Sequence, residues 1–268
     1  RYFDESIEVA QAAGKKVLIR VLPGVHTPEW VYGLGAKKFE FEPREKSSNA
    51  PPSNPYLPVP WDETYLKYWT RFVQKMGEKY GTSTAVVLVH MAGPTQVSAE
   101  MHLPKSDADK AKWQQVEVGY TPDKLANAWK QVMDVYAESF PKQCLGLNVS
   151  KPIYDDGVAE SAVKYGVEKH GDRMCVQGNW LSGYTQDTFH YYALVKQYSG
   201  KATIGFQMLA AATSDAKSTT GGKMGELSVA IQKGLDANAS YFEIYKLDIR
   251  NSVYKETLED LAATLSKP

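Results

Sequence analysis

Six carboxylates stand near the ends of apolar, strand-like runs in this 268-residue chain: Glu29, Glu100, Asp155, Asp156, Glu243 and Asp248. Carboxyl groups do general acid–base work in pairs, one holding a proton while the other is ionised. Burial or a like charge must raise the pKa of the first. Glu100 lies in the loop that follows Gly93-Pro94, between small residues and Met101. Glu243 lies inside Tyr-Phe-Glu-Ile-Tyr, a run that otherwise reads as buried, where an unpaired carboxylate is costly. These two are the expected catalytic residues. Asp155-Asp156 precedes a helical stretch and reads as a cap and dipole partner.

The other polar residues at strand ends are amides and imidazoles: His26, His90, Asn148, Gln177, Asn179 and Gln207. Such groups supply the directed hydrogen bonds that a hydroxyl-rich ligand needs. Six Trp and 17 Tyr are many for the length, and several fall in loops. Exposed aromatic faces stack on the apolar C–H faces of sugar rings. Trp30 and Trp180 are the expected platforms, with Glu29 beside Trp30 as a further ligand contact.

Composition removes several alternatives. Formal net charge is zero, with 31 basic and 31 acidic residues, so no basic excess invites nucleic acid or an anionic membrane. No apolar run approaches the roughly 20 residues of a membrane helix. Cys144 and Cys175 read as buried free thiols. There is no phosphate loop, no G-x-G-x-x-G, no Cys-x-x-Cys, no H-E-x-x-H and no G-x-S-x-G. The five histidines are scattered, and no metal or other cofactor is expected.

The elements that must position these residues alternate strictly. Helices are expected at Phe3–Ala13, from Asp62 to Gly81, Thr121–Phe140, Val158–His170, Thr188–Tyr198, Glu226–Leu235 and Tyr254–Ser266. Strands are expected at Lys16–Leu22, from Ala85 to its stop at Gly93-Pro94, and at Cys144–Val149, Met174–Gln177, Ala202–Leu209 and Tyr241–Tyr245. Helix–strand alternation specifies a parallel sheet with helices outside. A long loop is expected from Val25 to about Asp62, with a Pro/Ser/Asn-rich part from Ser47 to Pro60. A second, rich in Ser, Thr and Gly, runs from Thr213 to Gly222.

Three pieces of the first hundred residues carry a family likeness. They are Phe3-Asp4 with its helix and the strand Lys16–Val21, the loop His26-Thr27-Pro28-Glu29-Trp30-Val31, and the Trp-rich helix ending Glu78-Lys79-Tyr80-Gly81 before a strand. Together they resemble clan A glycoside hydrolases, the retaining (β/α)₈ enzymes. The resemblance implies a (β/α)₈ TIM barrel in one domain over 1–268, with strands three to eight in this chain and the first two missing upstream. Upstream residues or a second chain would complete it. The implied activity is hydrolysis of an oligo- or polysaccharide by two carboxyl groups, with a carbohydrate ligand, no nucleic acid and no membrane partner. A polysaccharide substrate would favour a secreted or periplasmic setting. Retaining hydrolysis needs the carboxyl groups about 5 Å apart, and inverting hydrolysis about 6.5–9.5 Å.

The sequence departs from that family where the chemistry is concentrated. Such enzymes carry Asn-Glu at the end of strand four, where this chain reads Ala92-Gly93, and a Glu near the end of strand seven, where it reads Gln207. A saccharide-binding or structural barrel without turnover is therefore the alternative. Alternation places Tyr241, Glu243 and Tyr245 on one face and Gly205 with Gln207 on another, both inward. Gln207 and Glu243 are expected to share a hydrogen bond directly or through one water, with Glu243 as the proton donor. The cleft is expected at the carboxyl ends of the strands, walled by the His26–Trp30 loop, the Glu100 loop and Trp180.

Overall fold

A computed structural model describes residues 2–42, 55–213 and 222–266. The chain divides into two compact units, Arg1–Met174 and Cys175–Pro268. In both, parallel strands alternate with helices, so the fold is mixed α/β of the kind a (β/α)₈ barrel is built from.

The first unit opens with α1 (Tyr2–Ala12), β1 (Val17–Ile19) and α2 (Glu29–Gly33). The expected long loop is interrupted by β2 (Lys38–Glu40) and β3 (Tyr56–Pro58), which pair antiparallel. Most of the Pro/Ser/Asn-rich part between them lies outside the described residues. Next come α3 (Glu63–Tyr80), β4 (Val86–His90), α4 (Asp107–Trp113), α5 (Pro122–Ser139), β5 (Cys144–Val149) and α6 (Val158–His170). Helix starts follow the capping rules. Asp62 accepts the Tyr65 N–H at 2.9 Å, and Thr121 precedes a proline at the first turn of α5. The buried stripe of α3 is Tyr65, Leu66, Val73 and Met76, whereas Phe72, at a position periodicity assigns to the core, is 43% exposed. Strands β1, β4 and β5 are parallel, with Ile19 opposite Val89 and His90 opposite Gly146.

Strand β6 (Met174–Leu181) leads into the second unit, followed by α7 (His190–Gln197), β7 (Thr203–Met208), α8 (Leu227–Asp236), β8 (Ala239–Glu243), α9 (Lys246–Ile249) and α10 (Lys255–Leu265). Parallel register aligns Gln177 with Gly205, Gly205 with Tyr241, and Gln207 with Glu243. The loop after β7 is tied down by Asp248. Fully buried, its carboxylate accepts from Ala212 N at 2.9 Å and from Thr213 N and Oγ1 at 2.7 Å each. Most of the Thr213–Gly222 stretch beyond lies outside the described residues. No described helix is long and apolar enough to cross a membrane.

Candidate functional site

In the second unit, strand alternation sends Gln177 and Asn179 from β6, Gly205 and Gln207 from β7, and Tyr241 and Glu243 from β8 to one face. Gly205 makes the arrangement possible. A Cβ there would stand 2.1 Å from Tyr241 Cζ, so only hydrogen leaves room for the phenol to cross β7. Tyr241 Oη reaches β6 and donates to Gln177 Oε1 at 2.6 Å. Gln177 Nε2 then donates twice, to Asn179 Oδ1 at 2.7 Å and to Glu243 Oε1 at 3.0 Å. Gln177 is fully buried, a position an amide tolerates when its carbonyl and both N–H groups are paired, as these are.

This network gives Glu243 an amide partner, and that amide is Gln177. Gln207, the partner expected from sequence, stands beside Glu243 in register. The bond from Gln177 presents an N–H, which either form of the Glu243 carboxyl can accept and the carboxylate accepts more strongly. Trp180 is half-buried in an aromatic cluster, with ring centroids 4.8 Å from Phe189, 5.7 Å from Phe206 and 6.3 Å from Tyr192. Phe206 points from β7 opposite to Gln207, so this cluster belongs to the helix-side face.

The first unit carries its own polar group at strand ends. His90 closes β4 and is 1% exposed, with Nε2 3.2 Å from Arg20 Nη2. A guanidinium only donates, so His90 Nε2 accepts and the proton sits on Nδ1. Its ring lies over Gly146 of β5. Two residues on, Asn148 is fully buried, and neither its Oδ1 nor its Nδ2 meets a protein partner among the described residues.

Glu100 bridges to Asn148 through the backbone, where the loop after β4 runs beside β5. Its carboxylate lies 3.3 Å from His102 Nε2, and its N–H meets Ser98 Oγ at 3.1 Å. On the other side of the imidazole, His102 Nδ1 is 3.0 Å from Lys105 Nζ. The loop after β1 packs on this one: Val25 N donates to Gln96 O at 2.9 Å, and Gly24, at φ +62°, allows the close approach.

Three further expected residues lie on the loop after β1 and on α2. Glu29, exposed on α2, accepts from Lys38 Nζ and Tyr56 Oη at 2.7 Å each, which ties α2 to β2 and β3. The Lys38 bond, with that of Tyr56, lowers the Glu29 pKa. Trp30 is 56% exposed and meets Tyr68 edge-to-face at 5.2 Å. His26 is exposed. Three neighbours of these groups were not among the expected site residues: Tyr241, Arg20 and His102. A glycine inside a strand register-paired with an aromatic was the signal for Tyr241. Among the described residues, no group of three or more His, Cys, Asp or Glu side chains could hold a metal ion.

Known proteins place the fold. No family model matches the sequence, and no curated protein does. Solved structures show a glycoside-hydrolase-like fold. A β-galactosidase from the psychrophilic Marinomonas ef1 is similar over 91% of this chain and 46% of its own, with a TM-score of 0.51 at 13% identity. An endoglucanase catalytic domain from Thermobifida fusca, in complex with cellotetraose, matches over 67% of this chain and 50% of its own, with a TM-score of 0.37 at 10% identity. The catalytic domain of the major endoglucanase of Xanthomonas campestris pv. campestris matches over 75% and 62%, with a TM-score of 0.43 at 8% identity. The chain thus spans less than half the length of the β-galactosidase.

Proposed function

We propose that this chain is a (β/α)₈-type glycoside hydrolase acting on an oligo- or polysaccharide, with Glu243 and Glu100 as its carboxyl groups. One observation carries the reading most: the hydrogen bond from buried Gln177 to Glu243, at the carboxyl end of three parallel strands. In this reading Glu243 is the ionised carboxylate, which removes a proton from water or attacks the anomeric carbon. Glu100 is then the group that protonates the leaving oxygen. Asn179 and Gln207 are the hydrogen-bonding groups for sugar hydroxyls, and exposed His26 and Trp30 are further ligand contacts. Glu29 serves through α2, which it anchors beneath Trp30.

A second reading, saccharide binding without turnover, is favoured by Ala92-Gly93 after β4 and Gln207 in β7, where the enzymes this chain resembles carry carboxylates. A panel of soluble glycans separates the two. Release of new reducing ends supports the hydrolase. Saturable heat of binding with no reducing ends supports the binding module.

A further inference from the structure

We infer that Tyr241 is the positioning residue of this site: laid across Gly205, its phenol fixes the amide of Gln177 so that Glu243 meets a donor and is held as an acceptor. The inference deepens the hydrolase reading and rests on it only for the reaction that Glu243 would serve.

The argument starts from the two ways an amide can lie. As placed, Gln177 Oε1 faces the phenol at 2.6 Å and Nε2 faces Asn179 Oδ1 and Glu243 Oε1. Turned over, its Oε1 would face the oxygens of Asn179 and Glu243. Two changes would then be needed: Asn179 would turn as well, and Glu243 would take up a proton to become a donor. The direction of one buried amide therefore biases the form of Glu243: as placed it is met by either form and best by the carboxylate, the stronger acceptor, whereas turned over it requires the protonated acid. Tyr241 biases that direction, because a phenol donates better than it accepts, its lone pair being delocalised into the ring. It can reach Oε1 only because Gly205 has no side chain. The titratable side chains on this face of β6, β7 and β8 are Cys175, Tyr241 and Glu243, with Cys175 one alternation step below Gln177.

Two measurements test this. In the unaltered chain, neutron diffraction reads the hydrogens directly. Two deuterons on the Gln177 side-chain atom nearest Glu243, and one on Tyr241 Oη aimed at Gln177, are expected. An undeuterated Gln177 atom facing Glu243 overturns the proposal. In a ¹³C-glutamate-labelled chain, Tyr241→Phe should raise the titration midpoint of the Glu243 carboxyl by about one unit, a tenfold change in its equilibrium. A folded Tyr241→Phe chain with an unmoved midpoint also overturns it. If that variant does not fold, the neutron result on the unaltered chain decides. Neither readout involves turnover. A chain that cleaves no glycan would defeat the hydrolase reading and leave this inference standing.

Discussion

The imidazole of His90 lies over Gly146 on the neighbouring strand, its Nδ1 2.7 Å from where a Cβ would stand. The phenol of Tyr241 does the same over Gly205. In each unit a strand glycine makes room for a polar ring on the next strand. Without Gly205 the phenol could not lie across β7 to reach Gln177 on β6. The device accepts the weak strand propensity of glycine in return for a fixed polar side chain.

Adding a methyl group at either position should therefore overpack the sheet. Gly146→Ala should cost about 1–3 kcal/mol, because His90 and Leu88 must both give way. Gly205→Ala should cost at least as much, since the whole phenol is in the way. Urea unfolding midpoints measure both. A Gly205→Ala chain as stable as the parent would show that the ring is free to move aside.

Asp248 should prove structural. Asp248→Ala would strand the Ala212 and Thr213 N–H groups and cost about 3 kcal/mol. Asp248→Asn keeps one acceptor and should cost less. Hydrogen exchange at Ala212 and Thr213 should accelerate in the alanine variant before exchange in the strands does.

On α5 and α6, Asp134 accepts from Lys169 at 2.7 Å, from Tyr165 at 2.8 Å and from His170 Nε2 at 3.1 Å. Burial works to raise the Asp134 pKa, but the Lys169 and Tyr165 bonds outweigh it and the net shift is downward. Burial also lowers the pKa of His170. Both shifts have one sign. The unfolded chain binds more protons, so stability is full above about pH 6.5 and falls as His170 and then Asp134 are protonated, the latter below about pH 4. Asp134→Asn should flatten the fall below about pH 4. Unfolding midpoints measured from pH 3 to pH 7 check this, and an unchanged slope would contradict it.

Trp30→Ala should leave stability within about 0.5 kcal/mol, because the side chain is mostly exposed. It should weaken saccharide binding several-fold, through loss of a stacking face. Calorimetric titration with the best-bound glycan distinguishes this from a purely structural role.

Much of the fold was legible from periodicity. Expected and observed ranges coincide for β5 and α6, and differ by a residue or two for α1 and β7. Sequence missed β2, β3, α2, α4 and α9, short segments without a sustained apolar period. It read the shared face of Tyr241 and Glu243 from alternation but not the bond from Gln177 to Glu243. Gln207 is the amide beside it in register, while Gln177 is two strands away. That longer reach depends on Asn179, Tyr241 and the missing side chain of Gly205 acting together. No local pattern encodes a three-strand relay. The departures from the resembled family at Ala92-Gly93 and Gln207 were visible at once, because they lie at single positions.

The most direct test of the account compares the parent chain with Glu243→Gln on one glycan that the parent cleaves, by the rate of reducing-end release. The amide preserves shape and can still meet the Gln177 side chain after rotating its oxygen toward Nε2, so the fold should persist. The account predicts a fall of roughly a thousandfold in kcat at an unchanged unfolding midpoint. A folded Glu243→Gln chain that cleaves at the parental rate would contradict it.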